Sequence, residues 1–320
     1  MQLDFLLRRS RPIKTLGAVC AVALALQSAE LGAQHRLDDS LGAHIKRLDK
    51  SSRWTLLSQT PLQFNSHHPQ GMVKIGEVFF LSSVETIDAP VRLREPATPF
   101  DRTTGSGVGH LFKISASGSL LGHITLGEGA MYHPGGIDFD GESLWVSVAQ
   151  YRPNSHSIVY KVDPDTLAAT EIFRFADHLG AIARDSAQDK LHGISWGSRK
   201  IVSWQGEEAN YSNVPATTTL NPSHYIDYQD CQSLSENKML CSGLSSYRDA
   251  TGAAFKLGGI DLIDLNVMRP EFQLPVTQTT AGGALLTQNP FYAELIENGD
   301  LVFYFVPEDE QSFLYTYTLR

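Results

Sequence analysis

Three histidines open three versions of one short motif. His68 begins His-Pro-Gln-Gly, His133 begins His-Pro-Gly-Gly, and His178 begins His-Leu-Gly-Ala. Tyr228 and, more loosely, Asn289 stand at the same place in two further versions. A neutral imidazole offers a lone pair to a transition metal, and an ordinary pKa of about 6.5 suits it equally to proton transfer. His68, His133 and His178, joined by Asp230 of the fourth version, are therefore a candidate set for a divalent metal. His133 and His178, with Tyr151, are candidate proton-transfer groups. The competing reading is a structural turn whose ring bonds backbone carbonyls between repeats.

A second set is basic. Tyr151-Arg152 and Tyr247-Arg248 fall at matched places in the second and fourth versions, and Ser198-Arg199 falls in the third. A planar guanidinium fits carboxylate, phosphate or sulfate, so Arg152, Arg199 and Arg248, with Tyr247 and Gln70, are candidate contacts for an anion. Each arginine has an alternative as a surface residue paired to a nearby acid such as Asp249. The chain as a whole carries a net charge of −9, which disfavours duplex nucleic acid as a partner and leaves a small anion or saccharide. No phosphate loop, dinucleotide fingerprint or Gly-x-Ser-x-Gly elbow occurs, and Asp138-Phe-Asp140-Gly141 reads as a hairpin turn rather than a calcium loop.

These residues need elements to bring them together. After each motif come a short apolar run, a turn (Ile75-Gly76, Asp140-Gly141, Ser235-Glu236-Asn237, Asn298-Gly299) and a second β-rich run, which together predict a hairpin. A third run follows in every version, and a fourth follows clearly in the first two. Four antiparallel strands per repeat is the blade of a β-propeller, so the expected fold is all-β. The last repeat stops at Arg320 after its third strand, while an orphan strand from Arg53 to Ser58 precedes the first repeat. That strand is expected to join the last blade and close the ring. The count gives five blades of roughly 54 residues, against about 40 to 50 for common propeller repeats. It becomes six if a weak blade hides in Val84 to Gly109 or Asn210 to Tyr225. First strands line the axis of a propeller, so the residues that open them are expected to converge at the mouth of the central channel.

The chain divides at 1–33, 34–52 and 53–320. Arg8, Arg9, Arg11 and Lys14 precede an apolar run from Leu16 to Leu26 and small residues near Ala33, the pattern of a secretory signal peptide. A periplasmic or secreted location follows, and the general secretory route fits better than the twin-arginine one because Arg11-Pro12 breaks the latter's pattern. Residues 34–52 read as a tail or short helix, with Leu41, Ile45 and Leu48 at helical spacing. No stretch in 53–320 has the length and apolarity of a membrane span, and a monomer is expected. Cys231 and Cys241 flank the turn of the fourth repeat, where they face each other either as a cross-strand disulfide or as two buried thiols.

At His133-Pro-Gly-Gly-Ile-Asp-Phe-Asp-Gly141 and Ala149-Gln-Tyr-Arg-Pro153 the chain resembles a family of secreted or periplasmic bacterial and fungal proteins without an assigned function, over the whole propeller region. The Gly-Ile-Asp-Phe-Asp-Gly-x-x-Leu-Trp-Val run is also similar, more remotely, to gluconolactonase and strictosidine-synthase-like propellers, which implies a divalent cation at the channel mouth. Those families draw their ligands mainly from Glu, Asn and Asp and have six blades, so none of their catalytic residues is carried over. Two functions remain open. One is a hydrolase or lyase, metal-assisted or histidine-dependent, acting on an anionic small molecule or acidic saccharide. The other is a non-catalytic propeller that binds a glycan or a protein.

Overall fold

A computed structural model describes residues 41–97, 99–206 and 208–320; the predicted signal peptide lies outside these residues. The chain is mostly β, arranged as successive groups of four antiparallel strands, of which those over 131–175 and 179–220 are joined into one eight-stranded sheet by a single parallel pair, Gly136 with Ala181. β1 (Trp54–Pro61) comes first, then β2 (His68–Ile75) and β3 (Val78–Asp88). An insertion follows with the hairpin β4 (Arg92–Ala97) and β5 (Phe100–Arg102), before β6 (Ser106–Ser115) and β7 (Leu120–Leu126) complete the sheet β2-β3-β6-β7. The next sheet holds β8 (Met131–Phe139), β9 (Leu144–Gln150), β10 (Ser157–Val162) and β11 (Ala169–Phe175). After it come β12 (Leu179–Asp185), β13 (Lys190–Ser195), β14 (Lys200–Gln205) and β15 (Thr217–Leu220). A fourth group is β16 (Asp227–Leu234), β17 (Lys238–Arg248), β18 (Ala254–Asp264) and β19 (Arg269–Val276). The last sheet is built from both ends of the chain: β20 (Phe291–Leu295), β21 (Leu301–Phe305) and β22 (Phe313–Leu319) are joined by β1, with Trp54 opposite Leu319.

The turns that predicted the hairpins have the backbone they require. Gly76, Gly141 and Gly299 sit at φ of 56°, 94° and 82°, and the Glu236-Asn237 turn runs through two residues at positive φ. Among the described residues, neither 84–109 nor 210–225 forms another four-stranded sheet: the first carries the β4–β5 hairpin, and the second supplies β15.

Apolar clusters fill the space between consecutive sheets. Val73, Leu111 and Val146 join the first to the second, Trp145, Phe173 and Trp204 the second to the third, and Ala183, Ile201 and Met239 the third to the fourth. Leu240, Leu262 and Phe303 join the fourth to the fifth, and Met72, Phe79 and Leu314 pack the fifth against the first. Residues 41–45 are helical, and Leu41 and Ile45 are buried in the cluster of the fourth and fifth sheets. The disulfide Cys231–Cys241 lies in the third cluster, bridging directly opposed residues of β16 and β17.

The repeated motif marks where the first strands meet. In the first four sheets the pairing of first and second strand slips at the motif, between Pro69 and Gly71, Pro134 and Ile137, Leu179 and Ala181, and Tyr228 and Asp230. Such bulges bend a strand and re-aim its side chains. They also bring backbones together: a Cβ on Gly135 would be driven into the backbone of Gly180, and one on Gly71 into Gly136 and Ile137. β2, β8, β12, β16 and β20 thus pack among themselves at the centre.

Asp230 ties that centre. Its Oδ2 accepts from the backbone N–H of Met72 (2.8 Å) and Phe291 (3.4 Å), and its Oδ1 from Ile137 (3.2 Å) and Cys231 (3.0 Å). Four first strands are linked through one carboxylate. Asp138 repeats the device on a smaller scale, accepting from the N–H of Arg184 at 2.8 Å and of Ser233 at 3.3 Å.

Candidate functional site

Directly before the bulge between Pro134 and Ile137 in β8, His133 is only 5% exposed, and neither of its ring nitrogens has a hydrogen-bond partner. Around it stand residues from four sheets. Tyr151, just after β9, packs on it with ring centres 4.0 Å apart. His178, preceding β12, lies 6.0 Å away by the same measure and makes an edge contact with Trp196. Trp196 begins the short turn Trp196–Ser198 that links β13 to β14.

Hydrogen bonds fix the tautomers of the flanking histidines. His178 Nδ1 lies 2.9 Å from the carbonyl of Gln150, which can only accept, so this nitrogen carries the proton and Nε2 the lone pair. His68 Nδ1 lies 2.8 Å from Asp309 Oδ1, and Asn289 Nδ2 donates to the same oxygen at 3.0 Å. A carboxylate on one nitrogen of an imidazole fixes the ring's orientation and aims the other nitrogen. Asp309 belongs to the link between β21 and β22, so the fifth sheet contributes as well.

The electrostatics keep the His133 and His178 imidazoles neutral. Burial, followed by His178 and His68, holds His133 well below the usual histidine range. Burial brings His178 down to about 4, against the opposing bond to Gln150. Burial pushes the Tyr151 phenol up, with Arg102 opposing and Asp309 adding to the rise. At neutral pH the site therefore presents uncharged imidazoles as bases and a protonated phenol as an acid.

Arg102, at the end of β5, supplies the cation. Its guanidinium lies 4.7 Å from the Trp196 ring centre and is paired with Asp101 at 2.9 Å. The insertion that carries it is anchored over the second sheet, where Tyr132 Oη donates to the carbonyl of Thr104 at 2.6 Å. Phe100 of the same hairpin receives Arg152, whose guanidinium sits 3.5 Å from the ring centre while its Nε donates to Gln150 Oε1.

The predicted residues are thus divided. His68, His133, His178 and Tyr151 come together, with Arg152 at the margin. Arg199 is turned to the third and fourth sheets, where it donates to the carbonyl of Ser223 (2.9 Å) and to His224 Nδ1 (2.7 Å) and faces Asp227 at 3.5 Å. Tyr247 donates to the carbonyl of Tyr225 and stacks on Phe255. Arg248 closes its own turn by bonding the carbonyl of Gly252, and Gln70 is buried with its amide on the carbonyl of Pro69. Asp230 corrects the predicted metal set, because backbone amides occupy both of its oxygens and leave no lone pair aimed at the histidines. Sequence reasoning missed Arg102, Trp196 and Asp309. All three had a signal of position, since they occupy the link between second and third strands as Tyr151 does, but in the first sheet that link is lengthened by the β4–β5 hairpin, which has no counterpart in the other repeats.

Fold and site together define a β-repeat protein whose first strands meet beneath a cluster of histidines, aromatic rings and an arginine. The chain belongs to a family of unknown function, DUF6454, matched over residues 27–319. No curated protein matches it in sequence. Among solved structures it is similar to a luciferin-regenerating enzyme, with 9% identity, 84% of this chain and 95% of that one covered, and a TM-score of 0.46. It is also similar to a mannose phosphorylase from Leishmania mexicana in complex with phosphate ion, with 11% identity, coverage of 89% and 93%, and a TM-score of 0.46. A DUF4623 family protein from Bacteroides eggerthii shares 12% identity, with coverage of 84% and 76% and a TM-score of 0.43. Likenesses this distant carry no activity over to this chain.

Proposed function

We propose that the protein is a periplasmic or secreted five-bladed β-propeller, closed by β1, that binds a small anionic molecule or acidic saccharide at the His133 site. There it carries out hydrolysis or β-elimination. The five four-stranded groups with mutually packed first strands support the architecture, and the disulfide supports an oxidising compartment.

The observation that carries the function is His133 itself. A buried imidazole with two unpartnered nitrogens is costly unless the site uses it. Beside it are a phenol held in its acid form, a second histidine held neutral, and the Asp309-oriented His68. In the proposed chemistry Arg102 pairs with the carboxylate or other anionic group of the substrate. In β-elimination a neutral imidazole takes the proton α to the carboxylate, a C=C bond forms and the β C–O bond breaks. In hydrolysis it takes the proton of an attacking water as the C–O bond to the leaving group breaks. In both, Tyr151 protonates the leaving oxygen. The rings of Tyr151 and Trp196 offer faces to a sugar.

The test is a panel of acidic oligosaccharides and anionic esters, presented to the wild type, His133→Ala and Arg102→Ala. Turnover by the wild type should fall by about 100-fold or more in His133→Ala, the usual weight of a general acid or base. Arg102→Ala should raise KM by about 10- to 100-fold, the equivalent of one charge-assisted hydrogen bond. Saturable binding without product would replace the enzyme by a glycan-binding propeller, and neither binding nor product would refute the site.

A further inference from the structure

On the other side of the backbone from His68 lies a second histidine cluster that the repeat does not predict. Antiparallel register places Glu85 of β3, His110 and Phe112 of β6 and His123 of β7 on one face of the first sheet: Ser83 pairs with His110, Glu85 with Val108, and Phe112 with His123. Side chains two residues apart on neighbouring strands share a face and meet diagonally. His67, in the link before β2, lies over this face and stacks on His110 with ring centres 4.8 Å apart. Two bonds hold it there: its N–H donates to Asn65 Oδ1 at 2.9 Å, and its carbonyl accepts from the N–H of Glu310 at 2.6 Å.

We infer that His67, Glu85 and His110 form a binding site for one divalent transition ion of the zinc class, with His123 orienting His110. One donor atom from each of the three residues lies within 4.8 Å of the other two. His110 Nε2 and Glu85 Oε2 are 3.4 Å apart. Two ligands of a tetrahedral zinc with bonds of about 2.0 to 2.1 Å stand about 3.3 Å from each other, so this edge is already set. His110 is 6% exposed, and its Nε2 has no hydrogen-bond partner. Its Nδ1 meets His123 Nε2 at 2.8 Å; when Nδ1 is the donor, the Nε2 lone pair is directed at Glu85 and His67. That is the arrangement of a metal-ligating histidine held from behind by a second residue. Burial, with His67 and His123 adding to it, lowers the His110 pKa, which keeps it in the neutral form a metal needs.

The site has a structural consequence of its own. The β3–β6 ladder already pairs the two ends of the insertion that carries Phe100 and Arg102, out to Asp88 and Ser106, so an ion held by Glu85, His110 and His67 ties the link before β2 to the base of that insertion. The inference does not depend on the proposed reaction, since it concerns different residues and is read by metal binding alone.

The experiment uses tag-free protein stripped with a chelator. Zinc is titrated by calorimetry, and cobalt(II) by its visible absorption, which is strong only in tetrahedral coordination. The wild type should take up one ion per chain. Glu85→Gln and His110→Gln should each weaken binding by at least 10-fold with an unchanged circular dichroism spectrum. His123→Gln should weaken it by about 10- to 100-fold, as loss of an orienting partner does. Glu85 is half exposed, so its variant keeps the test valid if His110→Gln fails to fold. Absence of stoichiometric binding at micromolar metal, or undiminished binding in Glu85→Gln, would overturn the inference.

Discussion

Replacing Asp230 by asparagine changes one atom, and the structure says what that atom does. Oδ1 and Oδ2 each accept two backbone N–H groups, from β8 and β16 on one side and β2 and β20 on the other. Asparagine keeps one accepting oxygen and turns an NH2 toward the other pair, so two buried donors lose their acceptor and face a third donor. One orphaned buried donor costs about 1 to 3 kcal/mol, and two give about 2 to 6 kcal/mol. Relief from burying a charge, which already lifts the Asp230 pKa well above the usual carboxylate value, offsets part of this. A net loss of about 2 to 5 kcal/mol is expected, a large share of the roughly 5 to 15 kcal/mol that holds a typical domain together. Guanidinium unfolding of the oxidised protein at pH 7.5, followed by tryptophan fluorescence, measures it as a lower midpoint at constant slope. Asp230→Leu, which abandons all four amides, should lose more than Asp230→Asn despite its apolar side chain. A change in Asp230→Asn within about 0.5 kcal/mol, the scatter of an ordinary surface substitution, would refute the role assigned to this carboxylate.

Two further predictions concern pH and redox state. Burial lowers both His178 and His192 to about 4, so in acid the unfolded chain takes up protons that the folded chain refuses. Their contribution to stability is complete above about pH 6.5 and is lost as pH falls through about 4; His192→Asn should reduce the slope of stability against pH in that window by about 1.4 kcal/mol per unit, whereas an unchanged slope would contradict a neutral His192. The Cys231–Cys241 bridge closes a short loop with a separation of 10 residues, so Cys231→Ala combined with Cys241→Ala should cost about 2 to 3 kcal/mol. Reductant should lower the wild-type unfolding midpoint and leave that of the double variant in place.

The repeat was legible because four of its five versions turn their first hairpin on residues that tolerate a left-handed backbone. Gly76, Gly141 and Gly299 mark three of these turns, and Ser235-Glu236-Asn237 a fourth. The pairing of Cys231 with Cys241 was legible because a hairpin with its turn at Glu236 sets them opposite each other. The meeting of His68, His133, His178 and Tyr151 followed from pooling the loops at one end of the sheets. Asp230 was misjudged, since a lone acid in a β-rich segment looks the same whether it faces a ligand or the backbones of neighbouring sheets. Arg199, Tyr247 and Arg248 were misjudged for a related reason: repeat position fixes the loop but not the direction of a long side chain within it. The closeness of Arg102 to the site, and of His67, Glu85 and His110 to one another, was not legible because it depends on how an insertion folds back and how three strands register, neither of which has a local signature.

The pairing of β1 with β22 also imposes an order in time. Residues 54–61 leave the ribosome early, yet their partner at 313–319 is made only after the other sheets. The entropy of closing so long a loop grows only slowly with its length, so the delay weighs on folding rate more than on final stability. Until the last strand arrives, β1 and β21 each present an unpaired backbone, the kind of edge that recruits strands from other chains. A nascent or truncated chain lacking β22 is therefore the form of this protein that most needs a chaperone.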